Sequence, residues 1–171
     1  MRKYVLLGGT VVLAATALFS SLTAEASTPV TFTLTAGALS INAPTASVSL
    51  GTQVALATSS TISGSLGAVT VTDQRGGVTT WTASVISTAF TPTAGPADPA
   101  SNVSYVPGVI TSSATVTATG TSASDLTGVS PVVAGSSGGI SSASWNPVIA
   151  IVVPADYAPG VYAASITHSV A

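Results

Sequence analysis

The stretch "VTVTDQRGGVTTWTASVIS" (69–87) holds two runs of alternating apolar and polar residues around a turn that contains two glycines. Valines alternate with threonines before the turn, and Trp81 and Val85 fall in phase after it. Alternate residues of an extended strand point to the same face, so each run predicts a strand with one buried face. We therefore expect a hairpin here, with Trp81 in the core and Asp73 and Arg75 at the turn.

Alternating or apolar runs elsewhere predict the remaining strands. They lie at 30–35, 47–58, 66–73, 114–121, 148–154 and 160–170. The run at 148–154 is apolar on both faces, which is typical of a strand covered on both sides. Glycine, proline and asparagine turn signals separate the runs, and we find no long amphipathic helical pattern after the first 26 residues. This pattern predicts an all-β fold, an antiparallel β-sandwich of Greek-key-like or barrel-like form, with loops and a few short strands over 92–139.

The first 26 residues have the layout of a secretory signal peptide. A basic start precedes an apolar stretch, and Ala24 and Ala26 form an A-x-A cleavage site. We expect 1–26 to be removed, with a retained membrane anchor as the alternative, and 27–171 to form a single secreted domain. No second apolar run long enough to cross a bilayer follows, so we expect no membrane segment after cleavage.

Charge and cysteine content exclude several classes of function. Residues 27–171 contain one arginine, four aspartates and no lysine, a net charge of −3 with histidine neutral. Nucleic-acid binding and attraction to anionic lipid both depend on basic side chains, so neither is expected. The chain has no cysteine, which excludes thiol catalysis and Cys-based zinc sites.

Sequence patterns typical of catalytic or cofactor sites are weak in this chain. His168 is the only histidine and lies near the end of an apolar strand face. Serines and aspartates are available for a triad, but no G-x-S-x-G elbow marks one of them. No metal-ligand spacing or nucleotide fingerprint is present, so we expect no cofactor, no metal site and no enzymatic activity. A packing role for His168 is the preferred interpretation, with a ligand or catalytic role as the alternative.

Three other side chains, those of Asp73, Arg75 and Trp145, are candidates for contact with a partner. Asp73 and Arg75 are interpreted as a surface ion pair, with contact to an anionic partner as the alternative. The turn-like context of Trp145, before Asn146 and Pro147, predicts that it is the more exposed tryptophan. An exposed tryptophan could stack on a sugar ring.

Two segments together resemble the WxL domains found on the surface of Gram-positive bacteria. "VTVTDQRGGVTTWTASV" resembles a V-x-D-x-R-G strand and turn followed by W-x-L, with Ala83 in place of the leucine. "VIAIVVPADYAPGVYAASITHSV" resembles the C-terminal Y-x-x-x-L-T-W-x-L motif, with Tyr162 and Thr167 matching. His168 stands at the second tryptophan and Val170 at the leucine.

The resemblance implies an all-β domain attached non-covalently to the cell wall through peptidoglycan, beside other surface proteins. The motif residues Asp73, Arg75, Trp81, Tyr162, Thr167 and His168, together with Trp145, are the resulting wall-binding candidates. The alternative function is a structural subunit of a secreted fibre or surface layer, because a chain with few charges leaves its sheet edges poorly guarded against strand pairing.

Overall fold

A computed structural model describes residues 25–171 of the chain. The chain divides into two units, Met1–Leu34 and Thr35–Ala171. The predicted signal peptide, 1–26, lies almost wholly outside the described residues. The strand predicted at 30–35 is wrong, because 25–34 form neither helix nor strand. Alternation alone does not make a strand, since the backbone of a strand also needs a neighbour to pair with.

The second unit is all-β, as predicted, with one 3₁₀ turn at Ala100–Asn102. Thirteen strands form within the described part of the chain: β1 (Leu39–Asn42), β2 (Ser60–Ser65), β3 (Val69–Asp73), β4 (Thr79–Ser87), β5 (Thr91–Pro92), β6 (Val103–Val106), β7 (Ile110–Ser112), β8 (Val116–Gly120), β9 (Ser130–Ser137), β10 (Ser141–Trp145), β11 (Val148–Val153), β12 (Tyr162–Ala163) and β13 (Ile166–Val170). All pairings between them are antiparallel.

Two sheets lie end to end along three shared chain segments and form one layer that bends along the line where they meet, which we call the first sheet. Above the bend its strand order is β1-β3-β10-β7, and below it the order is β2-β11-β6. The chain passes directly from β2 to β3, from β6 to β7 and from β10 to β11 at that line. Gly67 and Gly108 have φ values of +91° and +76° there, a conformation that glycine adopts without a steric penalty. The amide of Leu66 donates to the carbonyl of Pro147 (2.9 Å), which keeps two of the segments paired through the bend.

The second sheet has the order β13-β4-β9-β8, and the short pair β12-β5 continues it beyond the end of β4. The predicted hairpin between β3 and β4 is wrong, because β3 pairs with β1 and β10 whereas β4 pairs with β13 and β9. The turn at 74–78 therefore carries the chain from one sheet to the other. The two sheets pack face to face as the predicted antiparallel β-sandwich.

The core between the sheets contains two apolar clusters. One contains Val69, Val71, Trp81, Ala83, Val133, Ala143 and Trp145. The other contains Val85, Val103, Tyr105, Leu126, Val132, Ile149 and Ile151. Burial of Trp81 is confirmed, since it is 2% exposed. Its indole lies over Gly135 of β9, where any Cβ would overlap the ring.

Three further predictions about strands need correction. Residues 47–58 form no strand; Leu50 from this segment instead packs against Gly64 and the lower core. β11 is central in its part of the sheet but is covered on one face only, since Val148 and Val152 are 41% and 46% exposed. The weakly patterned stretch at 92–139 holds more strand than expected, including all of the eight-residue β9.

Replacing Trp81 by alanine tests this packing. Trp81→Ala should lower the free energy of unfolding by about 3–5 kcal/mol, because a large buried side chain leaves a cavity over Gly135. Thr80→Ala, at the exposed neighbouring position, is the control and should change stability by less than about 0.5 kcal/mol. Chemical denaturation measures both variants, and equal midpoints would show that the indole is not part of the core.

Candidate functional site

The structure brings two of the predicted site residues together through a third that the sequence did not single out. The indole Nε1 of Trp145 donates to the hydroxyl of Tyr105 at 2.9 Å. The same hydroxyl lies 3.1 Å from Nε2 of His168, and the two rings are tilted at 60° with centroids 5.7 Å apart. Trp145, Tyr105 and His168 therefore form one hydrogen-bonded chain, which we call the aromatic chain.

The prediction that Trp145 is exposed is wrong. Its side chain is 2% exposed, because it continues the inward alternation of Ser141 and Ala143 along β10. The Asn146–Pro147 dipeptide that resembled a surface turn is the bend of the first sheet, and Pro147 is itself fully buried. Trp145 therefore cannot offer its face to a sugar ring in this structure.

Burial sets the protonation states of the aromatic chain. Burial lowers the pKa of His168 below its ordinary value of 6.5, which favours a neutral ring. Burial also raises the pKa of Tyr105 to about 12, against the opposing effect of the bond from Trp145. Because the indole N–H occupies a lone pair of the phenol oxygen, the phenol O–H is free to donate to Nε2. Donation from Nε2 would instead leave the phenol O–H without a partner, so we place the ring proton of His168 on Nδ1.

The inward orientation of His168 is confirmed. Side chains at 162, 164, 166, 168 and 170 are all half-buried, whereas those at 163, 165, 167 and 169 are exposed. A triad needs Nε2 or Nδ1 beside a serine, but Nε2 is engaged by Tyr105. This arrangement favours the packing role for His168. No group of three or more His, Cys, Asp or Glu side chains able to hold a metal ion occurs among residues 25–171.

His168 also lines a groove of about 300 Å³ at one edge of the sandwich. One wall is the segment at 44–50 and the other is the chain at 164–168. The floor is apolar and includes Leu66, Phe90 and Ile149. No charged side chain lines this groove.

The predicted Asp73–Arg75 ion pair forms, but the prediction that it lies at the surface is wrong for Asp73. The Asp73 side chain is fully buried and that of Arg75 is 33% exposed. Oδ1 of Asp73 accepts the backbone N–H (3.0 Å) and Nε–H (2.9 Å) of Arg75. Its Oδ2 accepts from Nη2 of Arg75 (2.9 Å) and from the hydroxyl of Thr79 (2.6 Å).

These bonds determine the charge of the pair and its role. The side-chain bonds from Arg75 hold the pKa of Asp73 well below its usual range, although burial acts in the opposite direction. Nη2 of Arg75 also donates to the carbonyl of Thr80 at 2.8 Å, and the hydroxyls of Thr79 and Ser137 lie 2.9 Å apart. The pair thus closes the crossing from β3 to β4 and connects it to β9. The Arg75 side chain donates three hydrogen bonds within the protein, two to Asp73 and one to the carbonyl of Thr80. It is therefore poorly placed to hold an anionic partner.

Tyr162 and Thr167 lie apart from both networks. Tyr162 stacks on Tyr157 with centroids 5.9 Å apart, and its hydroxyl donates to the carbonyl of Ala158 at 2.9 Å. Thr167 is exposed on the outer face of the second sheet. Among the seven candidates, only Thr167 is fully available to a partner.

Tyr105 was missed because its strand is short. Four residues, "VSYV", form β6 inside a region that is rich in serine, glycine and proline. The signal was the alternation of Val103 with Tyr105 directly before a Pro-Gly turn. Two periods of alternation are too few to distinguish a strand from a loop.

Comparisons with known proteins add no identification. No family model matches this chain, and searches of curated proteins and of solved structures gave no match either. Within residues 25–171, no helix has the length and apolar character needed to cross a membrane. The likeness to WxL domains therefore depends on the quoted motif residues alone.

The state of His168 gives a pH prediction. Because its pKa is lower in the folded protein than in the unfolded chain, the unfolded state takes up a proton first as the pH falls. Its contribution to stability should be complete above about pH 6.5 and decline below it, until the folded-state pKa is also passed. His168→Gln keeps an acceptor for Tyr105 but cannot titrate in this range.

Urea denaturation at pH 7.5 and at pH 5.5 checks this prediction. The wild type should lose more stability between the two values than His168→Gln does. An equal loss in both proteins would mean that the ring titrates alike in the folded and unfolded states. Comparing the two proteins at each pH cancels the contributions of the aspartates that they share.

Proposed function

We propose that this protein is an exported, non-enzymatic surface domain that associates non-covalently with cell-wall peptidoglycan beside other surface proteins. The motif resemblance supports the wall as the partner. The observation that carries the proposal is the outer face of the second sheet, which presents exposed hydroxyl groups in register across neighbouring strands.

The strand pairing aligns these hydroxyls. Ser136 of β9 is paired with Thr80 of β4 on one side and with Thr117 of β8 on the other. All three side chains are exposed, so they form a row across three strands. On the β13 side, Thr167 and Ser169 are exposed on the same face. We call this surface the hydroxyl face.

A hydroxyl face suits a neutral glycan. Each hydroxyl both donates and accepts hydrogen bonds, as do the hydroxyls and amides of a peptidoglycan strand. A row of hydroxyls across several strands gives repeated contacts along a polymer, so weak individual bonds act together. The net charge of −3 after residue 26 opposes binding to anionic wall polymers, which favours the glycan.

The motif residues enter this proposal as structural elements. Asp73 and Arg75 bond to each other at the turn that joins the two sheets. Trp81 packs in the core, and His168 is hydrogen-bonded to the hydroxyl of Tyr105. The substitution of histidine for the family tryptophan therefore changes the interior and leaves the hydroxyl face as it is. On this interpretation the altered second motif is compatible with wall association.

A sedimentation assay with purified, washed peptidoglycan tests the proposal. The test variant combines Thr80→Ala, Thr117→Ala and Ser136→Ala. Loss of three hydroxyls, each worth about 0.5–1.5 kcal/mol net, should weaken binding at least about tenfold. Wild-type binding should change little between about 0.05 and 0.5 M salt, because uncharged contacts are not screened.

The control variant removes three exposed hydroxyls from the outer face of the first sheet. It combines Ser40→Ala, Thr111→Ala and Ser142→Ala, all at exposed positions, and should bind as the wild type does. A folded wild type that stays in the supernatant, or equal losses in both triple variants, would refute the proposal.

A further inference from the structure

The described N-terminal residues include an exposed apolar segment with the pattern of a strand. Val30, Phe32 and Leu34 are 87%, 84% and 86% exposed and alternate with threonines. No charged residue occurs between Ala26 and Thr72, so nothing in this part of the sequence guards against strand pairing. We call residues 30–34 the donor segment.

The sandwich offers an unpaired backbone edge at β13. Among the described strands, β13 pairs with β4 alone. Ala171 exchanges two backbone bonds with Thr82, and the carbonyl of Ser165 accepts from the amide of Thr88 at 3.0 Å. Peptide groups of an antiparallel strand alternate in direction. The N–H and C=O groups of residues 164, 166 and 168 therefore point away from β4, toward the free side.

The groove lies on that free side. The side chains of Ile166 and His168 line it, together with Leu66, Phe90 and Ile149 of its floor. A strand added beside residues 164–168 would have five residues, the same number as the donor segment. Its alternate side chains would point into the groove as Ile166 and His168 do. Apolar residues at 30, 32 and 34 match the apolar floor.

Chain length favours a donor segment from another copy. The amide of Gly37 donates to the carbonyl of Gln74 (2.9 Å), which anchors the chain beside the Asp73 end of β3. The groove begins beyond Asn42, at the other end of β1, about 16 Å from Gly37 along an extended strand. Leu34 is three residues from Gly37 and reaches at most about 10 Å. In its own chain Leu34 therefore falls short of the groove, so all three apolar side chains can occupy the groove together only when another copy supplies them.

We infer that the donor segment of one copy adds as an edge strand beside β13 of a second copy, with Val30, Phe32 and Leu34 in the groove. Backbone hydrogen bonds supply affinity and the groove selects the alternate side chains, as in β-strand addition generally. The contact is head-to-tail, so successive copies form open chains or rings. This inference is independent of the wall ligand, because the groove and the hydroxyl face are different surfaces.

Analytical ultracentrifugation of the exported protein over a range of concentrations tests the inference. The wild type should form oligomers as its concentration rises. Phe32→Asp should raise the concentration needed for association at least about tenfold, because it places a charge against the apolar side chains of Leu66, Phe90 and Ile149. Thr33→Asp introduces the same charge on the opposite face of the segment and should associate as the wild type does. A wild type that stays monomeric, or two variants with the same behaviour, would overturn the inference.

Disulfide crosslinking identifies the occupied edge, since the chain has no cysteine of its own. Protein with Thr33→Cys is mixed with a size-tagged protein carrying Ser165→Cys, Thr167→Cys or, as control, Thr117→Cys on β8 at the opposite edge of the sheet. Mixed dimers should form with the 165 or 167 variant and not with the 117 variant. Preferential crosslinking at 117, or an intrachain bond in a chain carrying Thr33→Cys and Ser165→Cys together, would contradict the proposed contact.

Discussion

The hydroxyl of Tyr105 joins three strands, β6, β10 and β13, through two side-chain hydrogen bonds. It accepts from Trp145 of β10, above the bend of the first sheet, while Tyr105 itself lies below the bend on β6. It also reaches His168 of β13, in the second sheet. Since Trp145 and Tyr105 belong to different apolar clusters, the aromatic chain links both clusters and both sheets. A buried hydroxyl without partners is costly, so these three residues depend on one another.

The polar side chains of this protein fall into a buried set around Asp73 and an exposed set of hydroxyls on the second sheet. One charged side chain, Asp73, is fully buried, and its bonds with Arg75 and Thr79 close the crossing between the sheets. The outer face of the second sheet carries hydroxyls at positions such as Thr80, Thr117 and Ser136. The proposed wall association depends on that exposed hydroxyl surface, and the motif residues support it from inside.

Sequence patterns predicted the fold class and its longest strand well. β4 occupies the predicted range 79–87, because five consecutive residues, 81–85, alternate between apolar and polar and leave little ambiguity about face or register. The inward orientation of His168 was predictable for the same reason. Short strands such as β6 were missed, since two alternations cannot be distinguished from a loop.

Other errors came from interactions that are distant in sequence. The turn at 74–78 looked like a hairpin, but the choice of neighbouring strands depends on β1, β10, β9 and β13, which local pattern cannot show. Asn146 and Pro147 signalled a surface turn and mark the bend of the sheet instead, which is why the exposure of Trp145 was wrong. The aromatic chain joins residues 40 and 63 positions apart, so no local pattern could have predicted it.

The hydrogen bond between Tyr105 and His168 is open to direct measurement by a double-mutant cycle. Free energies of unfolding are compared at pH 7.5 for the wild type, Tyr105→Phe, His168→Phe and the variant with both changes. If the aromatic chain joins the two sheets, the two substitutions should be coupled by about 0.5–3 kcal/mol. Effects that add to within about 0.3 kcal/mol would show that the two side chains stabilise the fold independently, and would contradict the role assigned to the Tyr105 hydroxyl.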